Sequence, residues 1–194
     1  MSNLSSRERI ETRRRGQKSR SGIIWGLLIV IVIAIVSYLV WIGIRPAEGV
    51  AVADEGAEHI PDGTDPGYIS NPPTSGPHYE APLPGGFYEE ADLEEWSPFP
   101  EGHAVHNLEH GYIVFWYNCD VISETECEQL KSDIRNFINT ALTKKLVAFP
   151  WHTTDIPLVL TSWGFRLDMP VFDAGRAGTF IAANAPKAPE PNAP

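Results

Sequence analysis

The run His106-Asn107-Leu108-Glu109-His110-Gly111 sets two imidazoles four residues apart with a carboxylate between them, a grouping a metal ion can use. On a helix the two rings stand one above the other, roughly 6 Å apart, and both can reach one ion. On an extended strand they share a face but lie about 13 Å apart, too far for that. The chemistry therefore needs a helical or turn-like backbone at this point. A further imidazole is offered by Asn71-Pro-Pro-Thr-Ser-Gly-Pro-His-Tyr79, a loop stiffened by three prolines. A rigid loop loses little entropy when it presents a ligand, which makes His78 the third candidate.

Three imidazoles with an open position suit zinc or copper. The expected ligand set is His78, His106 and His110, with Glu109 either binding directly or orienting a ring. Met169, beside Pro170, would add a soft sulfur if the ion were copper. The competing reading needs no ion, since a histidine beside a strand can bond a backbone carbonyl and Glu109 can pair with a buried donor. His59, His103 and His152 are read as surface or structural. His-x-x-Glu-His is also the inverted zinc-peptidase pattern, in which the glutamate activates water. That pattern needs a sustained helix, whereas Gly111 and an apolar run follow at once. No catalytic residue or organic cofactor is assigned, and binding stands ahead of catalysis.

The elements that must position these residues follow the motif. Tyr112 to Tyr117 is unbroken apolar and aromatic sequence, fitting a central strand covered on both faces. Ser123-Glu-Thr-Glu126 is a capping box, and a helix from about Glu124 to Thr143 follows. Its apolar positions Cys127, Leu130, Ile134, Phe137, Ile138 and Leu142 recur at three and four, and Lys144 and Lys145 sit where the helix dipole favours cations. Leu146 to Phe149 and Leu158 to Trp163 are short strand candidates, and Asp173 caps a helix to about Ala183. Before the motif, Pro46 to His103 holds 10 of the 17 prolines and has no sustained period. It reads as an irregular arm whose later aromatics, among them Tyr79, Phe87 and Trp96, wrap a core. The fold class is α+β, a small mixed sheet with two packed helices and a long Pro-rich arm. A thioredoxin-like arrangement is compatible with it, and strand order is left open.

Composition locates this domain. Of 194 residues the first 20 carry seven basic and two acidic side chains, a net +5, while the remainder carries −15. From Ile23 to Ile44 runs an uncharged apolar stretch of 22 residues, and about 1.5 Å of rise per residue gives about 33 Å, enough to cross a hydrocarbon core. The basic flank keeps the amino end cytoplasmic. Ala51-Val52-Ala53 offers the alternative of a cleaved signal peptide, but the apolar run exceeds a signal core of about 7 to 15 residues. The chain thus divides into a basic cytoplasmic segment (1–22), one N-terminal transmembrane helix (23–44), a linker (45–66), the extracytoplasmic α+β domain (67–183) and a disordered Pro-rich tail (184–194). The membrane and other envelope proteins are the expected partners. An acidic exterior excludes nucleic acid. Cys119 and Cys127 fall outside the membrane, where disulfides persist, and a bond between them would be a structural staple.

Three blocks together, Asn71-Pro-Pro-Thr-Ser-Gly-Pro-His-Tyr79, His106-Asn-Leu-Glu-His-Gly-Tyr112 and Leu160-Thr-Ser-Trp-Gly164, resemble the DUF3105 family of bacterial envelope proteins. The likeness runs from about Glu48 to Glu190. It implies a short basic amino end, one membrane helix and an external domain, and it implies no activity.

Overall fold

A computed structural model describes residues 23–38, 40, 49–96 and 98–194. The chain divides into two compact units, Met1–Arg45 and Pro46–Pro194. In the first, residues 23–38 and 40 are helical (α1), and their large apolar side chains are exposed. Among the described residues no helix is long and apolar enough to cross a membrane. The expected basic segment, 1–22, and part of the expected span, residues 39 and 41–44, lie outside the described residues.

The second unit is mixed α+β. In chain order it runs β1 (Val50–Ala51), β2 (Gly86–Phe87), α2 (Glu90–Leu93), α3 (Glu101–Glu109), β3 (Ile113–Tyr117), α4 (Glu124–Thr140), β4 (Leu146–Pro150), β5 (Leu158–Ser162), β6 (Phe165–Asp168) and α5 (Ala174–Asn184), closing with a 3-10 turn, Ala185–Lys187. The six strands form one sheet in the order β1-β6-β5-β3-β4-β2. β3 and β4 are parallel, joined through α4, whereas β5 and β6 are antiparallel neighbours. A parallel pair needs such a crossover, because a tight turn can only return the chain antiparallel.

β3 is the central strand, and its two faces feed two cores by the period-two alternation of a strand. Ile113, Phe115 and Tyr117 pack with Leu130 and Ile134 of α4 and Ala177 and Phe180 of α5. Val114 and Trp116 pack with Ala104, Val105 and Leu108 of α3 and with Leu83 of the arm. Two helices cover one face, as expected. A third helix, α3, covers the other together with the arm.

Several boundaries depart from expectation. α4 stops at Thr140 because Ala141 is already extended, at ψ 144°. β6 was not anticipated; Gly164, at φ 71°, turns β5 back into it. β1 lies inside the stretch assigned to a linker and pairs with β6, so that residues 50–51 belong to the sheet. Residues 184–194 are not a loose tail. Glu190 donates its amide to the Glu109 carbonyl at 2.9 Å. Lys145, expected to serve the α4 dipole, donates its ammonium to the carbonyls of His110, Pro191 and Ala193 at 2.9, 3.1 and 2.5 Å. A charged donor outcompetes the chain entropy that the prolines suggested would prevail. Cys119 and Cys127 stand at disulfide distance between β3 and α4, with Cα atoms 5.2 Å apart.

The capping box at α4 forms on both sides. The Glu126 amide donates to Ser123 Oγ at 3.4 Å, and the Ser123 amide donates to Glu126 Oε2 at 3.0 Å. Replacing Ser123 with alanine removes the side-chain acceptor at an exposed helix start and is expected to lower unfolding stability by about 1 kcal/mol, read by urea denaturation. An unchanged midpoint would mean that water caps the helix equally well.

Glu101 opens α3, where the helix dipole favours a carboxylate. Burial nevertheless pushes its carboxyl above the ordinary range, with Asp65 adding repulsion against the partial relief of a backbone hydrogen bond. The folded form therefore binds more protons than the unfolded form between the ordinary value near 4.5 and the raised one, and stability falls as pH rises through that window. Glu101→Gln should be more stable than the parent at pH 7, and the difference should vanish below about pH 4.5, where the carboxyl is neutral in both states. Thermal melts across that range check it, and a gap independent of pH would refute it.

Candidate metal centre

The site is built where α3 meets the arm. α3 takes hold of the arm backbone through three side chains. His106 Nδ1 bonds the Tyr79 carbonyl at 2.6 Å, and His103 Nδ1 bonds the Ala81 carbonyl at 2.6 Å. Asn107 clamps Leu83 from both sides, accepting from its amide at 2.9 Å and donating to its carbonyl at 2.8 Å. The partners are alternate residues, 79, 81 and 83. Tyr79 also lies flat against Gly102, where any Cβ would come within 2.6 Å of its ring. That close approach is why the first turn of α3 carries a glycine.

The remaining half of the site is an isolated parallel bridge within the arm. The His78 amide donates to Glu58 and the Ile60 amide donates to His78, each at 2.9 Å, which sets His59 and His78 side by side. Their ring centroids are 4.6 Å apart. One ligand atom from each of His59, His78, His106 and Glu109 falls within 4.8 Å of all the others. Three are buried and His59 is the solvent-facing member.

Ring orientation determines what the group can do. His78 Nδ1 lies 2.9 Å from the Gly76 carbonyl and His106 Nδ1 lies 2.6 Å from that of Tyr79. A carbonyl only accepts, so both Nδ1 atoms carry the proton, and in the neutral rings both Nε2 atoms hold a lone pair. His78 Nε2 stands 3.1 Å from Glu109 Oε2, and His59 Nε2 stands 3.9 Å from the same oxygen. A lone pair facing a carboxylate at 3.1 Å is repulsive unless positive charge lies between them. That charge is either a proton, making a buried imidazolium–carboxylate pair, or a metal cation. His106 favours the neutral state: burial pushes its pKa below the ordinary 6.5, outweighing the raising effect of the Tyr79 carbonyl, and His110 and His78 push the same way.

His110 is placed differently from expectation. As the C-cap of α3 it keeps its ring over His106, with centroids 4.4 Å apart, as helical spacing requires. Its nitrogens turn instead to the Pro194 carbonyl, 3.2 Å from Nδ1, and to Glu190, 3.7 Å from Nε2. His110, Glu109 and Glu190 form a second group whose ligand atoms lie within 4.8 Å of one another. His59, read from sequence as surface or structural, occupies the place given to His110. Nothing near His59 in the sequence marks it except the concentration of histidines between residues 59 and 110. Met169 is buried with Phe115 and Leu160 in the core under α4 and α5, and so is not a sulfur ligand. His103, fixed by Ala81, sits 3.7 Å from Asp62 and outside both groups. His152 lies at the surface between Asp120 and Glu90.

The members of both groups fall within positions 59–194, which match the family model described as protein of unknown function (DUF3105). The chain belongs to the DUF3105 family. Neither a curated protein nor a solved structure matches it. The DUF3105 match begins at His59 itself, so it spans every member of both groups and the tail that carries Glu190.

Proposed function

We propose that this DUF3105 protein is a membrane-anchored, extracytoplasmic domain that binds a transition-metal ion, zinc or copper, through His59, His78, His106 and Glu109. The observation that carries the reading is the pair of fixed tautomers, which leaves two buried Nε2 lone pairs in one group with the Glu109 carboxylate. Three imidazoles and a carboxylate are a complete tetrahedral set for zinc, and imidazole equally suits copper. The Gly76 and Tyr79 carbonyls do the outer work of such a site, holding each ring in register and raising its basicity. Glu109, the base of the peptidase pattern, contacts His78 and serves as a ligand here. The anchor reading rests on α1. A helix of bare isoleucine, leucine and valine side chains is costly in water and stable in hydrocarbon. The basic flank sets its amino end in the cytoplasm.

One observation favours a second reading, a non-catalytic envelope scaffold. The His78–Glu109 contact at 3.1 Å closes without an ion if His78 is protonated. The full chain, purified in detergent, stripped with chelator and dialysed against zinc or copper, distinguishes the two. About one tightly held equivalent, lost in His78→Ala and in His106→Ala, supports the metal site. Less than about 0.2 equivalents, with thermal stability indifferent to chelator, leaves the scaffold.

A further inference from the structure

We infer that the centre is built for two cations that share the carboxylate of Glu109. This rests on the reading of His59, His78, His106 and Glu109 as the first site. The second site is His110, Glu190 and the same Glu109, whose ligand atoms lie within 4.8 Å of one another.

The second group repeats the geometry of the first. His110 Nδ1 lies 3.2 Å from the Pro194 carbonyl, which can only accept, so Nδ1 carries the proton and the neutral ring keeps its lone pair on Nε2. That lone pair looks toward Glu190 Oε2 at 3.7 Å, again an acceptor facing an acceptor. Glu190 is held there by its backbone, the amide donating to the Glu109 carbonyl at 2.9 Å. The group stands at the carboxyl end of α3, where the helix dipole favours positive charge. Lys145 bonds main-chain carbonyls there, those of His110, Pro191 and Ala193, and no salt bridge joins it to Glu109 or Glu190 among the described residues.

Glu109 belongs to both groups, and a carboxylate has two oxygens with which to bridge two ions. Paired ions in such sites sit about 3.5 to 4 Å apart. His106 and His110 meet edge to face, 4.4 Å between ring centroids, which sets one ring from each group directly beside the other. The two sites differ in access. Each has one exposed member, His59 at 41% in the first and Glu190 at 59% in the second, but the first buries its other three ligands, whereas in the second only Glu109 is buried. The first ion is therefore held tightly and the second exchanges.

The test is zinc stoichiometry of the full chain in detergent, stripped and then dialysed against buffered free zinc. Glu190→Gln is the decisive variant, because its exposed side chain can change without unfolding the domain. The parent is expected to hold two equivalents, and Glu190→Gln and His110→Ala one each, with the tight site intact. A parent that binds one equivalent, lost in His78→Ala and kept in Glu190→Gln, overturns the second cation and leaves the first. Two equivalents retained in Glu190→Gln place the second ion elsewhere and overturn the assignment. No zinc bound by the parent removes both readings. With copper(II) in place of zinc, the second equivalent should broaden the electron paramagnetic resonance of the first, and Glu190→Gln should abolish the broadening. Two sharp independent signals would overturn the shared carboxylate.

Discussion

His78→Ala is expected to lower zinc affinity by more than about a hundredfold, since even the partners that merely orient a ligating ring cost 10- to 100-fold when removed. The variant deletes a fully buried ring whose Nε2 stands 3.1 Å from Glu109 and leaves two imidazoles to hold an ion that prefers four ligands. It has a second effect of different origin. The Gly76 carbonyl loses its partner at 2.9 Å, and an orphaned buried acceptor costs about 1 to 3 kcal/mol. That loss is present with or without metal, whereas the stabilisation by zinc, which grows with its concentration over the dissociation constant, is present only in the parent. Competition against a chromophoric chelator measures the first effect, and thermal melts with and without zinc separate the second. Parent-like affinity in the variant would remove His78 from the site.

Trp116→Ala is expected to be the most damaging single change in the core, at about 3 to 5 kcal/mol. The indole is fully buried in the central strand, packed 5.0 Å from both Phe149 and Trp151 between ring centroids. Its Nε1–H donates to Thr161 Oγ1 at 2.6 Å across to β5. Truncation leaves both a cavity and an unpaired hydroxyl, two costs that add. In a domain of this size about 1 kcal/mol corresponds to about 2 to 4 °C, so a fall of about 10 °C or more should appear in calorimetry. Trp116→Phe keeps most of the volume and loses only the hydrogen bond, so it should cost less than half as much. A fall under about 4 °C for the alanine variant would mean that the α3 side of the sheet collapses to fill the gap.

What was legible in the sequence was the local part of each decision. The run Tyr112–Tyr117 had to be a doubly covered strand because every residue is apolar, and β3 is buried at all five positions. The capping box announced α4 because both of its partners lie within four residues. His78, His106 and Glu109 were found because rigid-loop and helical spacing are properties of short segments. His59 was not, because it reaches the group only through a parallel bridge between two stretches of arm that no local pattern pairs. His110 was assigned to the first group by helical spacing. That spacing does bring its ring against His106, but it does not say where the nitrogens point once the helix has ended at Glu109 and the chain turns at Gly111, φ 80°. The tail misled for a similar reason: four prolines describe the entropy of the free chain, and the Lys145 contacts that overcome it are 46 and 48 residues distant. Strand order, likewise, is decided by pairings between segments and not within them.

The grip of α3 on residues 79, 81 and 83 carries a consequence for the proposed metal site. Because its ligands would come from two separate lengths of chain, His59 and His78 on the arm and His106 and Glu109 on the helix, an ion bound there would fasten the arm in the manner of a buckle. Releasing the ion leaves the four hydrogen bonds of those three side chains, together with the ties of Thr74 to Gly164 and of Asn71 to Trp151 and Thr153, so the stretch ahead of Asn71 would open ahead of any unfolding of the sheet. Loss of metal would be visible first as faster amide exchange and faster protease cutting between residues 55 and 70. An ion at the proposed site would thus be reported by the state of the arm.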